Sequence, residues 1–145
     1  MSCVLRASGA NFDVEEFLKV SSLDALTAFH RGAVQFPTSS VTRKSDYSGM
    51  KVGVSNREFS DLKGQVEDAV GFLKENDHEL KRLRDFPGLE RMDLDFPIED
   101  RDVVFQRDAF PYQLLTLLGS LHIGLIVSRH PMPHSGVADQ PFTQQ

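Results

Sequence analysis

Hydrophobic and polar residues alternate one by one in two stretches of the chain, residues 50–55 and 91–100. A period of two places successive side chains on opposite faces, so each stretch predicts a strand with one buried face. In the second stretch the apolar face consists of Met92, Leu94, Phe96 and Ile98. Its other face consists of Asp93, Asp95, Pro97 and Glu99. Pro97 cannot donate a backbone hydrogen bond, which predicts its place at an edge, a bulge or a strand end.

Shorter sequence patterns predict two further strands, and one more segment has two possible interpretations. Residues 3–10 indicate a strand that ends at Gly9. Residues 123–128, IGLIVS, are apolar on both faces, which predicts a strand that is central in the sheet or covered on both sides. Residues 23–47 predict a strand or a hairpin that turns at Arg31 and Gly32, followed by a polar loop.

Apolar residues spaced three and four apart predict one helix of about 25 residues. The stripe consists of Phe59, Leu62, Val66, Ala69, Leu73, Leu80 and Leu83. Only Asn76 interrupts it, and the DFPG sequence at 85–88 ends it. We predict that the stripe packs against the protein's own sheet, and the alternative is a coiled coil with a partner helix.

Capping signals predict two shorter helices. Asp13 is placed to cap the first, with Glu16 three residues later, and Phe12 and Phe17 have the spacing of a hydrophobic staple. Pro111 is placed in the first turn of the other helix, which is rich in leucine.

This order of elements predicts an α+β fold. We expect a single-domain two-layer sandwich, with one mixed or mainly antiparallel sheet and helices packed mostly on one face. The length of 145 residues fits one domain, predicted at 1–130, and the proline-rich end predicts a C-terminal tail at 131–145.

The charge and cysteine content of the chain disfavour or exclude several classes of function and structure. Sixteen basic residues against 21 acidic ones give a net charge of −5, which disfavours general nucleic-acid binding. A lone cysteine, Cys3, excludes an intrachain disulfide, and we expect it to pack in a strand rather than to react. No apolar run is long enough to cross a bilayer, so we expect no membrane association and a cytoplasmic location.

The acidic strand carries the main candidate for chemistry. Residues two apart on a strand share a face, so Asp93 and Asp95 are expected to lie side by side. Such a pair is able to hold Mg²⁺ or to act in catalysis, but no phosphate-binding glycine loop accompanies it. We favour a solvated, partly ion-paired face, with neighbouring arginines as partners: Arg91, Arg101 and Arg107. No residue is assigned as catalytic, as a metal ligand or as a cofactor ligand.

Two segments resemble a known group of proteins. They are FSDLKGQVEDAVGFLKEN at 59–76 and DFPGLERMDLDFPIEDRDVVFQRDAFPYQLLTLLGSLHIGLIVSRHP at 85–131. Over about residues 50–131 the chain resembles a group of small bacterial proteins of unknown function. The resemblance implies a bacterial, cytoplasmic origin and no activity, cofactor or site residue.

These observations favour a non-catalytic protein-binding module. A specific form of this hypothesis, which rests on charge and size alone, is an immunity-type protein whose acidic face blocks the basic site of a toxin. That face would consist of Asp93, Asp95, Glu99, Asp100 and Asp102. The alternatives are a metal-assisted enzyme that uses Asp93 with Asp95, and a homo-oligomeric structural subunit such as a homodimer.

Overall fold

The computed structural model of the protein describes residues 1–33 and 45–131. The elements in chain order are β1 (Val4–Gly9), α1 (Val14–Leu18), β2 (Ala25–Phe29), β3 (Ser48–Gly53), α2 (Leu62–Glu75), α3 (Asp77–Arg84), β4 (Arg91–Glu99), α4 (Tyr112–Ser120) and β5 (Gly124–His130). The five strands form one sheet in the order β2-β3-β1-β4-β5. All neighbouring strands are antiparallel except β4 and β5, which are parallel. The predicted α+β fold with a mixed sheet is therefore confirmed.

One face of the sheet packs against the helices and forms the core. The strand residues of this face are Leu5, Ala7, Met50, Val52, Met92, Leu94 and Phe96. They share one hydrophobic cluster with helix residues Val14, Phe17, Val66, Ala69, Leu73, Leu80, Leu83, Leu114 and Leu118. The alternation of β3 and β4 thus predicted the buried face correctly. The stripe of apolar helix residues packs on the protein's own sheet, as expected.

The predicted long helix is wrong in one respect, because the chain forms two helices that meet at Asn76. Asn76 has φ −106° and ψ 19°, so the regular helix is interrupted there. Both its backbone N–H and its side-chain Nδ2 donate to the carbonyl oxygen of Phe72, at 3.0 and 2.9 Å. A side chain that competes for a helix carbonyl favours a helix end over a continuation. Phe59 lies before α2 rather than inside a helix and is 37% exposed.

The first helix begins as predicted and joins an aromatic cluster. The Asp13 carboxylate accepts from the backbone N–H of Glu16 at 3.1 Å, which makes Asp13 the N-cap. The rings of Phe12 and Phe17 lie 6.3 Å apart, and Phe86 meets Phe17 edge-on at 5.3 Å. The guanidinium carbon of Arg82 lies 4.1 Å from the Phe17 ring centroid. These contacts attach α1 to α3 at one end of the sheet.

Strand β5 contradicts the prediction of a central or fully covered strand. It is the last strand of the sheet and pairs only with β4 among the described residues. Leu125 and Val127 are 37% and 40% exposed. An apolar run does not distinguish a strand with two neighbours from an edge strand, because both favour the same residue types. β5 follows α4 through His122, whose φ of 59° provides the left-handed residue that ends the helix.

Two other predictions concern the turn near residue 32 and Pro97. Gly32 has φ 87°, and β2 ends just before it, so the turn at Arg31 and Gly32 is confirmed. Pro97 lies two residues beyond Asp95, the last β4 residue paired with β1. It therefore sits where β4 has a neighbouring strand on one side only, which agrees with its predicted place beside an edge. The polar loop at 34–44 and the tail at 132–145 lie outside the described residues.

The contact between Glu79 and Arg82 in α3 should make the free energy of unfolding depend on pH. Two hydrogen bonds from Arg82, at 2.8 and 3.0 Å, hold the pKa of the Glu79 carboxyl below its ordinary value of 4.5. A lowered folded-state pKa adds stability above the unfolded-state pKa, and that stability is lost as pH falls through the folded-state pKa. We expect Glu79→Gln to lower the free energy of unfolding by about 2 kcal/mol at neutral pH. The difference from wild type should shrink below pH 4.5.

Urea unfolding at a series of pH values measures this difference. Glu75→Gln is the matched control, because Glu75 is an exposed acid on the neighbouring helix. A loss in Glu79→Gln that stays constant from neutral to acidic pH would contradict the assignment.

Candidate functional site

The second face of the sheet carries the polar side chains and is called the open face here. It consists of Val4, Arg6 and Ser8 of β1, Gly49 and Lys51 of β3, Asp93, Asp95 and Pro97 of β4, and Ile126 and Ser128 of β5. These residues alternate with the core residues of the same strands. Because the helices pack on the other face, the open face is where the sheet itself is able to meet a ligand or partner.

Asp95 lies at the centre of the open face and is largely buried. Its Oδ2 atom lies 3.2 Å from Nη1 of Arg6, and its Oδ1 atom accepts from Oγ of Ser128 at 2.6 Å. Only 11% of the Asp95 side chain is exposed, against 45% of the Arg6 side chain. Both carboxylate oxygens are thus engaged by strands on either side of β4. Asp95 is a structural bridge rather than a solvated charge.

Asp93 shares the face with Asp95, as its spacing predicted, but it is also ion-paired. Its Oδ2 atom lies 2.6 Å from Nε of Arg91. Gly124 covers the other side, where a Cβ atom would lie 2.5 Å from Oδ1 of Asp93. Only 14% of the Asp93 side chain is exposed. The prediction of ion pairing is confirmed for Asp93, and the prediction of a solvated face is wrong for both aspartates.

The other predicted partner-binding acids lie at the far end of β4 and just after it. Glu99 and Asp100 are partly exposed, and Asp102 is exposed. Asp100 Oδ1 accepts from Nη1 of Arg129 at 3.0 Å, a pair in which both side chains are about half exposed. The structure therefore divides the five predicted acids into two groups. Asp93 and Asp95 are held inside the sheet, and the other three remain available to solvent.

Sequence reasoning missed Arg6 and Ser128. Arg6 lies between Leu5 and Ala7, so the alternation in β1 predicts its place on the polar face. Ser128 ends an apolar run, and no alternation in β5 predicts which face it occupies. The pairing of both residues with Asp95 could not be predicted, because it depends on strand order over 89 and 33 residues of separation. Of the three arginines proposed as partners, Arg91 binds Asp93, whereas Arg101 pairs with Asp108 at 3.4 Å.

The site has few of the features that metal or nucleophilic catalysis requires. Among the described residues no three histidines, cysteines or acids are grouped so that they could hold a metal ion. A cation at Asp95 would have to displace Arg6. The hydroxyl of Ser128 donates to a carboxylate that is already ion-paired, so it lacks the free general base that activates a nucleophile.

Cys3 is a core residue. It has no exposed surface, and burial, with smaller effects from Asp95 and Asp68, raises the pKa of its thiol well above the ordinary value. The reactive form of cysteine is the thiolate, so this thiol is protected from reaction. The prediction that Cys3 packs in the strand region is confirmed.

A second surface was not predicted from the sequence. The segment between β4 and α4 forms a loop, residues 100–111, whose outer residues Val103, Val104 and Phe105 are 54%, 107% and 73% exposed. We call these three residues the apolar tip. The only signal in the sequence is the triplet VVF itself, which interrupts a charged segment.

The base of this loop is fixed by hydrogen bonds. The Gln106 side chain donates to the carbonyl of Glu99 at 3.3 Å and accepts from the N–H of Arg101 at 2.9 Å. Gln106 also donates to the Asp108 carboxylate at 2.9 Å. The loop is thus closed by its own polar groups while its apolar residues point outward.

None of the protein-family models, curated proteins or solved structures compared with the chain matches it. The resemblance to small bacterial proteins remains an expectation from the sequence. No helix in residues 1–33 and 45–131 is long and apolar enough to span a membrane.

The different environments of the two aspartates predict different effects on stability. We expect Asp95→Ala to lower the free energy of unfolding by about 2 kcal/mol, because it removes one ion pair and one hydrogen bond of a mostly buried carboxylate. Asp93→Ala should cost less than about 1 kcal/mol, because Arg91 is mostly exposed and recovers its hydration. Urea unfolding of the two single variants measures both values. Equal losses would contradict the bridging role of Asp95.

Proposed function

We propose that the protein is a non-catalytic protein-binding module and that its partner binds the apolar tip. The observation that supports this most is a loop closed at its base by hydrogen bonds, with three large apolar side chains exposed at its outer end. Exposed apolar clusters on soluble proteins commonly mark interaction sites. Because Gln106 holds the loop base, binding would require little ordering of the chain, which favours affinity.

Further exposed apolar residues follow the tip along the chain. Tyr112 and Leu115 of α4 are 74% and 47% exposed, and Leu125 and Val127 of β5 are 37% and 40% exposed. All belong to the unit β4–α4–β5 that also carries the loop. Protein interfaces typically place large apolar and aromatic residues at their centre.

The acidic residues near the loop are placed to form the charged rim of an interface centred on the apolar tip. Glu99, Asp100 and Asp102 directly precede the apolar tip and are at least partly exposed. Rim charges mainly change the association rate and its salt dependence, rather than the dissociation rate. The partner we propose therefore presents an apolar pocket with a basic edge. This keeps three of the five acids of the immunity-like hypothesis and leaves Asp93 and Asp95 to the sheet.

A homo-oligomeric subunit is the second candidate, and one observation favours it. Strand β5 has a free edge among the described residues, and its residues 124–128 include no charge or proline of the kind that protects edge strands. Two copies could join by pairing β5 with β5. Light scattering over a range of concentrations distinguishes this candidate, since a dimer through β5 would form without any other protein.

Substitution of the apolar tip tests the proposed interface. The first step is affinity capture from a lysate of the source organism, followed by purification of any stoichiometric partner and measurement of Kd by calorimetry. We expect the double variant Val104→Ser/Phe105→Ser to weaken binding at least about thirtyfold, the effect of losing a hot spot worth about 2 kcal/mol. Asp102→Asn should lower the association rate and its salt dependence and leave dissociation nearly unchanged.

Val20→Ser is the matched control, because Val20 is 76% exposed and follows α1, outside the β4–α4–β5 unit. All these variants should unfold at the wild-type urea concentration, since the replaced side chains are exposed. Gln106→Ala keeps the tip but loosens the loop base, so it should weaken binding by a smaller factor. A complex that forms equally well with the tip variant would overturn the proposed interface.

A further inference from the structure

The open face contains a trough that crosses the sheet and is separate from the apolar tip. One cavity of about 290 Å³ has lining residues from all five strands. The lining includes Phe29 of β2, Lys51 of β3, Arg6 of β1, Arg91 of β4 and Ile126 of β5. A second cavity of about 270 Å³ adjoins it at Arg6 and continues along Asp95 and Ser128. The first volume is at the lower end of small-molecule sites, which are roughly 300–1,000 Å³.

The charges in the trough do not cancel. Arg6 is paired with Asp95, and Arg91 is paired with Asp93. Lys51 forms no ion pair with any carboxylate in the described part of the chain. The trough therefore has one uncompensated positive charge, although the whole chain carries −5.

Further hydrogen-bond donors surround that charge. Arg6 lies directly across from Lys51 in the β1–β3 register. Arg91 binds Asp93 through Nε, and its side chain is 70% exposed, so its terminal N–H groups face solvent. Lysine with arginine donors near it is the usual composition of a site for an oxyanion.

Apolar side chains stand at both edges of the trough. Phe29 is partly buried, and its ring lies over Gly49, where a Cβ atom would lie 2.6 Å from the ring carbon Cζ. Any side chain at position 49 would push this ring away. Ile126 is partly buried at the opposite edge and aligns with Asp95 in the β4–β5 register.

We propose that the trough binds a small organic anion. Its carboxylate, sulfonate or phosphate group would pair with Lys51, and its apolar body would lie against Phe29 and Ile126. The unpaired charge of Lys51 favours ligands with an oxyanion group. The apolar side chains at the two edges favour ligands that also have an apolar body. The proposal does not depend on the apolar tip, and the two can fail separately.

Nuclear magnetic resonance of the ¹⁵N-labelled full chain, with benzoate as the probe, tests this proposal. Benzoate should shift amide signals of the open face, including those of Arg6, Lys51 and Ile126, and the shifts should saturate. A fragment of this size is expected to bind with a Kd on the order of 1–10 mM. Acetate has the charge without the ring and benzylamine has the ring with the opposite charge, so both should bind at least about tenfold more weakly.

Three lysine variants identify the residue that carries the charge. Lys51→Gln should weaken benzoate binding about tenfold, and Lys51→Arg should restore most of it. Lys63→Gln is the matched control, because Lys63 is exposed on α2, in the helical layer on the opposite side of the sheet. The amide spectrum of each variant shows directly whether the fold is kept.

Several results would overturn the proposal. They are saturable binding of benzylamine as strong as that of benzoate, equal binding of acetate and benzoate, full affinity in a folded Lys51→Gln variant, and no benzoate shifts on the open face. The double variant Val104→Ser/Phe105→Ser should bind benzoate like wild type. A loss of benzoate binding in that variant would show that the probe binds at the loop and would equally overturn the trough.

Discussion

The sheet depends on β4, and β4 is joined to both of its neighbours by the carboxylate of Asp95. On one side β4 runs antiparallel to β1, and on the other it runs parallel to β5. Arg6 and Ser128 come from these two strands and bind the two oxygens of Asp95. A buried carboxylate needs such partners, because an unpaired charge at this depth would destabilise the fold. The same contact thus stabilises the junction at which the sheet changes direction and fixes the centre of the open face.

This arrangement shows what the sequence could and could not predict. The alternation in residues 91–100 was sufficient to predict the strand, its buried face and the shared side of Asp93 and Asp95. It could not predict burial of Asp95, because that follows from Arg6 and Ser128, which are distant in sequence. The Asn76 break has a similar cause. The apolar spacing continues on both sides of Asn76, and only the dihedral angles of Asn76, φ −106° and ψ 19°, show that the regular helix stops there.

Strand β5 and the loop before α4 were harder to predict for a different reason. Apolar runs such as 123–128 usually lie in the interior, so the sequence favoured a covered strand. The structure leaves Leu125 and Val127 more than a third exposed, in the same β4–α4–β5 unit that also exposes Val104 and Phe105. Apolar residues in exposed places are the signal that a surface has a use beyond folding. That signal becomes visible only when the sequence pattern and the burial disagree.

The position of each charge decides which surface is able to serve which ligand. A basic partner protein that binds Asp95 would have to displace Arg6 from its ion pair with this carboxylate. The free energy gained from the new ion pair would then be offset by the loss of the old one. Glu99 and Asp102 carry no such penalty, because they form no ion pair in the described part of the chain. Asp100 pairs with Arg129, but both side chains are about half exposed, so the loss of that pair costs little. On the open face the same internal pairing has the opposite consequence. By neutralising Asp93 and Asp95, the two arginines leave Lys51 as the charge that a ligand meets first, so an acidic protein presents a positively charged trough. Arg6 and Arg91 thus cancel the negative charge of Asp93 and Asp95, which suggested a basic partner from the sequence, and Lys51 gives this face its net positive charge.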